Sequence, residues 1–264
     1  MTKRIALLMS CIVLINLNFF ACKKDSLKST PIETATATES EYYEEGVALL
    51  KKNKEKGRLI LKQVIQLYPT SVFAQKAKIA IADSYMKKND PSALIMAISE
   101  YQEYLGLYPN SPDAIYAKYQ IGMCYFHQMK KPGRDQTNTT AAIKAFESLI
   151  RQFPETREAE MAQKNIVKAK QTMAQHIFLI GRTNYLVKAY KGAISRFKEV
   201  MDQYPDYSKM DELIFLTAKS YKGTEDIDTA RSFFQQLIDR YPESKFRKKA
   251  TKELGNLMQK KSEK

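Results

Sequence analysis

The sequence predicts an all-α solenoid of five helix pairs plus a C-terminal helix, with one long helix in the middle. Three observations carry that prediction. The first is an internal repeat: eleven residues before the aromatic of each of five aromatic-Pro pairs stands a small residue, Gly57, Ala97, Ala142, Ala193 or Ala230. Seven residues before the same aromatic stands Leu61, Tyr101, Phe146, Phe197 or Phe234. The pairs are Tyr68-Pro69, Tyr108-Pro109, Phe153-Pro154, Tyr204-Pro205 and Tyr241-Pro242, and a fixed internal period means stacked supersecondary units. The second observation is that proline falls almost only at helix ends, while no run of strict alternation supports a strand. The third is a register counted forward from each proline. Eight residues on lie Ala77, Ala117, Ala162, Leu213 and Ala250, and thirteen on lie Ala82, Gly122, Val167, Ala218 and Gly255.

Each unit reads as a helix pair. Its second helix ends at the aromatic because proline cannot continue a helix and biases the residue before it away from the α region. The small residue eleven before the aromatic admits the partner helix closely, and the large one seven before it fills the groove alongside. Such units bury a core only between neighbours, so the array is one cooperative stack and not five domains.

Ahead of the repeats, residues 1–21 read as an export signal: Lys3 and Arg4, an apolar run over 5–17, then Phe19-Phe20-Ala21-Cys22. Cysteine after a small residue resembles a bacterial lipobox, which makes Cys22 the acylated N-terminus and the membrane contact a lipid anchor. An uncleaved membrane anchor is the alternative, though the apolar run is short and broken by Asn16 and Asn18. Residues 22–39, rich in Ser, Thr and Ala, read as a flexible tether spanning about 20–25 Å. Ser40 is expected to cap the first helix. With Cys22 acylated, Cys124 is left without a disulfide partner and reads as a small buried hydrophobe.

Proline steps of 40, 45, 51 and 37 residues locate the insertions. The 45-residue step holds the loop 128–139, whose Pro132-Gly133 signals a turn. The 51-residue step carries 14 more residues than the last, without proline. Fourteen residues are about 3.9 helical turns, so the same face stays inward. Ala159, Ala162, Ile166, Ala169, Met173, Ile177 and Ile180 mark that face. One helix over 155–188 is predicted, roughly 50 Å long, with Gly181 the expected bend. It joins an N-terminal block of repeats 1–3 (40–154) to a C-terminal block of repeats 4–5 (155–264).

The residues offer little chemistry. His127 and His176 have no companion ligands, and there is no phosphate-binding glycine loop and no CxxC. No cofactor, no metal and no enzyme activity is expected, and Asp135 beside Arg134 reads as a loop ion pair. The formal charge of +14 falls to +12 once Lys3 and Arg4 are removed. Lysines are spread among Glu and Gln on nearly every helix, so a solvated surface is expected and no nucleic acid. The densest basic run is 245–252 with Lys260-Lys261.

Small residues in one register with Tyr85, Tyr125 and Tyr221 three residues later resemble the tetratricopeptide repeat, across roughly residues 40–260. In that family the first helix of each pair lines the concave face. Projection places Ile79, Asp83 and Met86 there from the second repeat, and Tyr116, Tyr119, Met123 and Phe126 from the third. Those last four form one stripe, either core or a peptide groove. The corresponding positions further on, Lys164, Lys168, Phe215 and Lys219, are more polar.

The lipobox, tether, five repeats, long helix and insert together resemble the BamD family, lipoprotein subunits of the outer-membrane β-barrel assembly machinery. The local matches are 133–137, Gly-Arg-Asp-Gln-Thr, running into Ala142, Phe146 and Phe153-Pro154, and the run Ala193-Ile194-Ser195-Arg196-Phe197. The resemblance implies a lipid-anchored protein of the outer membrane facing the periplasm. It implies an N-terminal block that contacts unfolded outer-membrane proteins near their C-terminal signal. It also implies a C-terminal block that docks the periplasmic domains of the BamA-like barrel-forming subunit, with Arg196 in that docking half, and other accessory lipoproteins as further partners. A different periplasmic adaptor lipoprotein of the cell envelope is the alternative function.

Overall fold

The computed structural model describes residues 38–262, and among them it holds eleven helices and no strand. The expected signal peptide, Cys22 and the tether as far as residue 37 lie outside the described residues, as do the side chains of Lys260 and Lys261. The pairs are α1 (Glu39–Lys52) with α2 (Lys54–Leu67), α3 (Val72–Met86) with α4 (Pro91–Leu107), and α5 (Ala114–His127) with α6 (Thr137–Gln152). Then come α7 (Arg157–Leu186) with α8 (Tyr190–Gln203), α9 (Met210–Gly223) with α10 (Ile227–Arg240), and the unpaired α11 (Arg247–Ser262). No described helix is long and apolar enough to cross a membrane.

Local chemistry sets the helix ends. All five second helices stop at the aromatic before proline, with φ between −130° and −139° and ψ between 57° and 64°. That conformation keeps one last bond, from the aromatic N–H to the carbonyl four residues back, and then leaves the α region as the following proline requires. At the other end of the chain the cap is Thr38 and not Ser40. The Thr38 hydroxyl accepts from the Glu41 N–H while the Glu41 carboxylate accepts from the Thr38 N–H at 2.6 Å. Ser40 has Tyr43 three residues on and cannot form that reciprocal pair.

The repeat residues make the core. Ala97, Ala142, Ala193, Ala230, Leu61, Tyr101, Phe146, Phe197 and Phe234 are all wholly buried, each large one worth about 1.5–3 kcal/mol of transfer free energy. What receives them is the small residue on the first helix. A Cβ added to Gly122 would lie 2.6 Å from a ring carbon of Phe146, and one added to Gly181 would lie 2.7 Å from a ring carbon of Phe197.

That contact corrects the register of α7. Val167, placed by counting at the small-residue position, is 53% exposed. The role passes 14 positions on, to Gly181, because the insertion lies wholly within the helix. The helix runs unbroken through Gly181, so this glycine serves close approach and not bending. The inward face shifts as well: Ala159, Ala162, Ile166, Ala169 and Ile177 are buried, but Ile180 is 38% exposed and Ala174 and Phe178 take over. Ala162 and Ile166 belong to a core with Tyr119, Ala142 and Phe146, whereas Ala174, Ile177 and Phe178 belong to the core of the last two pairs. One helix therefore closes repeat 3 with its first half and opens repeat 4 with its second.

Three successive pairs of first helices touch, α1 with α3, α5 with α7, and α7 with α9, while α3 and α5 are linked through the Asp83 and Tyr116 side chains. No two second helices share a contact of that extent among the described residues. First helices therefore lie on the inner side of the stack.

Candidate protein-binding groove

The inner side of α3, α5 and α7 is built from side chains that tie one helix to the next. Asp83 on α3 accepts hydrogen bonds from Tyr116 Oη of α5 at 3.0 Å and from Tyr101 Oη of α4. The Tyr101 and Tyr116 rings meet edge to face, with centroids 6.5 Å apart. Burial, then the Asp83 charge, pushes both phenols up, Tyr116 to about 12, so both remain donors at any physiological pH. On α7, Asn165 Nδ2 reaches Tyr119 Oη and Met123 Sδ of α5, each at 3.1 Å.

Of the expected groove residues, Asp83, Met86 and Tyr116 line one open cleft of about 340 Å³ between α3 and α5. Lys87, Asn89, Gln120 and His127 complete it; none of these four was expected in the groove, and His127 entered the sequence reading only as a histidine without companion ligands. Asn89 carries a legible signal, since it holds φ at +53°, a conformation asparagine tolerates better than most residues. Ile79 is half-buried and packs on the core around Ala82 and Tyr101. Further along, Met123 and Phe126 are half-buried. Phe126 packs edge-on against Phe146, and the Lys168 ammonium stands over its ring at 5.7 Å. Cationic contact with an aromatic face of this kind is worth about 0.5–1 kcal/mol at an exposed site.

Tyr119 does not belong with them. It is only 6% exposed, and its ring packs 6.1 Å from that of Phe146. The 3-4-3 spacing of 116, 119, 123 and 126 covers an arc wide enough that Tyr119 turns toward α6 and α7. It is a core residue.

The insert after α5 is ordered by its own side chains. Buried Gln136 donates from Nε2 to the carbonyls of Lys131 and Arg134, and the Thr139 hydroxyl donates to its Oε1. Asp135 accepts from the N–H and hydroxyl of Thr137. It is thus a turn cap, and no ion pair joins it to Arg134 among the described residues. His176 of α7 bonds the Pro132 carbonyl at 2.7 Å, fastening the loop to the long helix. Cys124 is wholly buried and its thiol is pushed up to about 12, first by burial and then by the Asp83 charge, which removes it from thiolate chemistry. Among the described residues no group of three or more His, Cys, Asp or Glu is placed to hold a metal ion.

In the C-terminal half the surface is cationic. Arg196 stands on α8, about half exposed, with Nη1 2.7 Å from Glu199. Lys219 and Lys222 of α9 both reach Glu253 of α11, at 2.7 and 2.6 Å. Lys245, Arg247, Lys248, Lys249 and Lys252 are exposed on and just before α11.

The chain resembles known proteins along most of its length. Residues 212–244 match a tetratricopeptide-repeat model. The outer membrane protein assembly factor BamD of Rickettsia prowazekii is 26% identical over 247 residues, covering 90% of this chain and 93% of that one. BamD of Caulobacter vibrioides is 31% identical over 125 residues, 47% of this chain; that match spans only 41% of the relative's length. BamD of Haemophilus influenzae is 23% identical over 197 residues, 70% of this chain and 74% of that protein. The family model described as outer membrane lipoprotein, YfiO, matches residues 35–223. With its tetratricopeptide architecture and a match of that extent, the chain belongs to the YfiO family of outer membrane lipoproteins.

Proposed function

We propose that this protein is a non-catalytic scaffold of outer-membrane β-barrel protein assembly, anchored through an acylated Cys22 and facing the periplasm. Its N-terminal block, residues 40–154, binds unfolded barrel segments. Its C-terminal block, residues 155–264, docks the periplasmic domains of a BamA-like barrel-forming subunit, with Arg196 in the docking surface. The observation that carries this reading is the division of the inner face. Between α3 and α7 it offers a cleft and a half-buried stripe of Met86, Tyr116, Met123 and Phe126, whereas beyond α7 it presents lysines engaged with α11. A half-apolar groove with polar walls suits an extended peptide with an aromatic end. Holding substrate and barrel-forming subunit on one rigid stack raises the effective concentration of each for the other.

Affinity purification of the tagged protein from detergent-solubilised membranes tests the docking half. The barrel-forming subunit should co-purify, and Arg196→Glu should reduce its recovery while leaving the melting temperature unchanged. Failure to recover that subunit with the unmutated chain would overturn the assignment.

A further inference from the structure

The inner face carries a charge sequence that the repeat register makes visible. Fourteen residues after Pro69, Pro109, Pro154 and Pro205 stand Asp83, Met123, Lys168 and Lys219. Counted from the prolines, these first-helix positions read acid, apolar, base, base, with Lys168 in the half of α7 that closes repeat 3 and ahead of the displaced register of Gly181. Lys219 is occupied by Glu253. Lys168 makes no ion pair among the described residues, and its ammonium stands over Phe126. At the other end, Asp83 receives two phenol hydrogen bonds, both on Oδ1, and no cation of the described residues pairs with it. This half-exposed carboxylate opens into the α3–α5 cleft, with Lys87 and His127 also on its lining.

The spacing of the two ends is fixed by packing. Tyr116 ties α5 to α3, and Asn165 with Lys168 ties α7 to α5. α5 packs on α7 and α3 reaches α5 through the Asp83–Tyr116 bond, so at about 8–10 Å per helix step Asp83 and Lys168 stand roughly 16–20 Å apart. An extended chain rises about 3.3 Å per residue, which makes that gap roughly five or six residues.

We propose that the groove is polarised and reads a basic side chain in the segment it binds. Asp83 takes a lysine or arginine about five or six residues before a C-terminal aromatic, and the carboxylate of that aromatic faces Lys168. The aromatic ring lies on Met123 and Phe126, which brings its α-carboxylate beside the ammonium over Phe126. The two phenols hold Asp83 in place as an acceptor, so the carboxylate is oriented before the ligand arrives. This inference rests on the peptide-binding reading above and adds a direction and a charge requirement to it.

The test uses fluorescence anisotropy of the full chain with ten-residue peptides. Each peptide ends in phenylalanine, is acetylated at its N-terminus, and is uncharged apart from its carboxylate and one lysine. A lysine five or six residues before the end should bind about five- to tenfold tighter than the same peptide with lysine one or two residues before it, or with glutamine instead. Asp83→Asn keeps an oxygen for both tyrosines, and should erase that preference, read on the folded variant as the ratio of its affinities for the lysine and glutamine peptides falling to about one. Amidating the C-terminus should weaken binding to the unmutated protein but cause no further loss in Lys168→Gln. Equal affinity wherever the lysine stands, or a preference that survives Asp83→Asn, would overturn the inference and leave Asp83 as a structural tie only. Aromatic-ended peptides that bind without any lysine preference sink this inference alone, whereas no binding of any such peptide sinks the peptide-binding reading with it.

Discussion

The two halves of α7 are parts of one helix with different work. Its first half closes repeat 3: Ala162 and Ile166 pack with Phe146, and Asn165 and Lys168 reach the stripe on α5. Its second half opens repeat 4, where Gly181 receives Phe197, and Ala174 and Phe178 join the core of the last two pairs. The difference teaches that a repeat can be lengthened without breaking the stack, provided the extra residues complete nearly whole turns. The same comparison separates an inner face with an open cleft and half-buried apolar side chains from one whose lysines are spent on α11.

The strongest way to break that comparison is to empty the second-half seat. Phe197→Ala removes a wholly buried ring and should cost about 3–5 kcal/mol, read by chemical denaturation. Gly181→Ala should cost about 1–3 kcal/mol by overpacking the same site, since the added methyl meets that ring. Were Gly181 a hinge only, this change would be neutral or stabilising.

The stripe on α5 is sharpened by separating its members. Tyr119→Ala should destabilise by about 2–4 kcal/mol, because its ring is buried against Phe146. Phe126→Ala should cost about 1 kcal/mol, being half-buried, and should abolish most binding of an aromatic-ended peptide. Equal destabilisation by the two changes would place Phe126 in the core as well.

The C-terminal helix responds to pH through Glu253. Burial acts to raise its carboxyl, but hydrogen bonds and charge from Lys219 and Lys222 outweigh it and leave the group lowered from 4.5. A carboxyl lowered by folding stabilises the folded state above its unfolded value and loses that contribution as pH falls through the folded one. Docking of α11 should therefore loosen below about pH 4.5, seen as faster amide exchange in α11 than in α8, and Glu253→Gln should remove that dependence. The smallest effect is expected at Gly255. It matches Gly181 in kind, but an added Cβ there meets nothing within 4 Å, so Gly255→Ala should stabilise by at most about 1 kcal/mol through helix propensity.

Much of this fold is legible in the sequence because the repeat constrains residues by contact. Phe153-Pro154, Ala142 and Phe146 each occupy the place that their spacing demands, and so do their counterparts in the other four pairs. Counting from Pro154 misplaces the α7 register because it assumes that the insertion follows the small residue, whereas the insertion precedes it. Nothing local in Val167 or Gly181 reports which of them faces a ring on another helix. The groove is less legible for a similar reason. Helical spacing puts Tyr119 on the stripe, and only the positions of Phe146 and Asn165 show that it turns inward. Lys87, Gln120 and His127 reach the cleft through the stacking of α3 on α5, a long-range consequence that no local pattern carries.

The central claim is that substrate segment and barrel-forming subunit occupy separate halves of one scaffold. Titrating a labelled aromatic-ended peptide into the protein, with and without saturating periplasmic domains of that subunit, tests it most directly. The account predicts a ternary complex of one copy each, with Phe126→Ala losing only the peptide and Arg196→Glu losing only the subunit. Displacement of the peptide by the subunit, or loss of both partners from either single change, would contradict it.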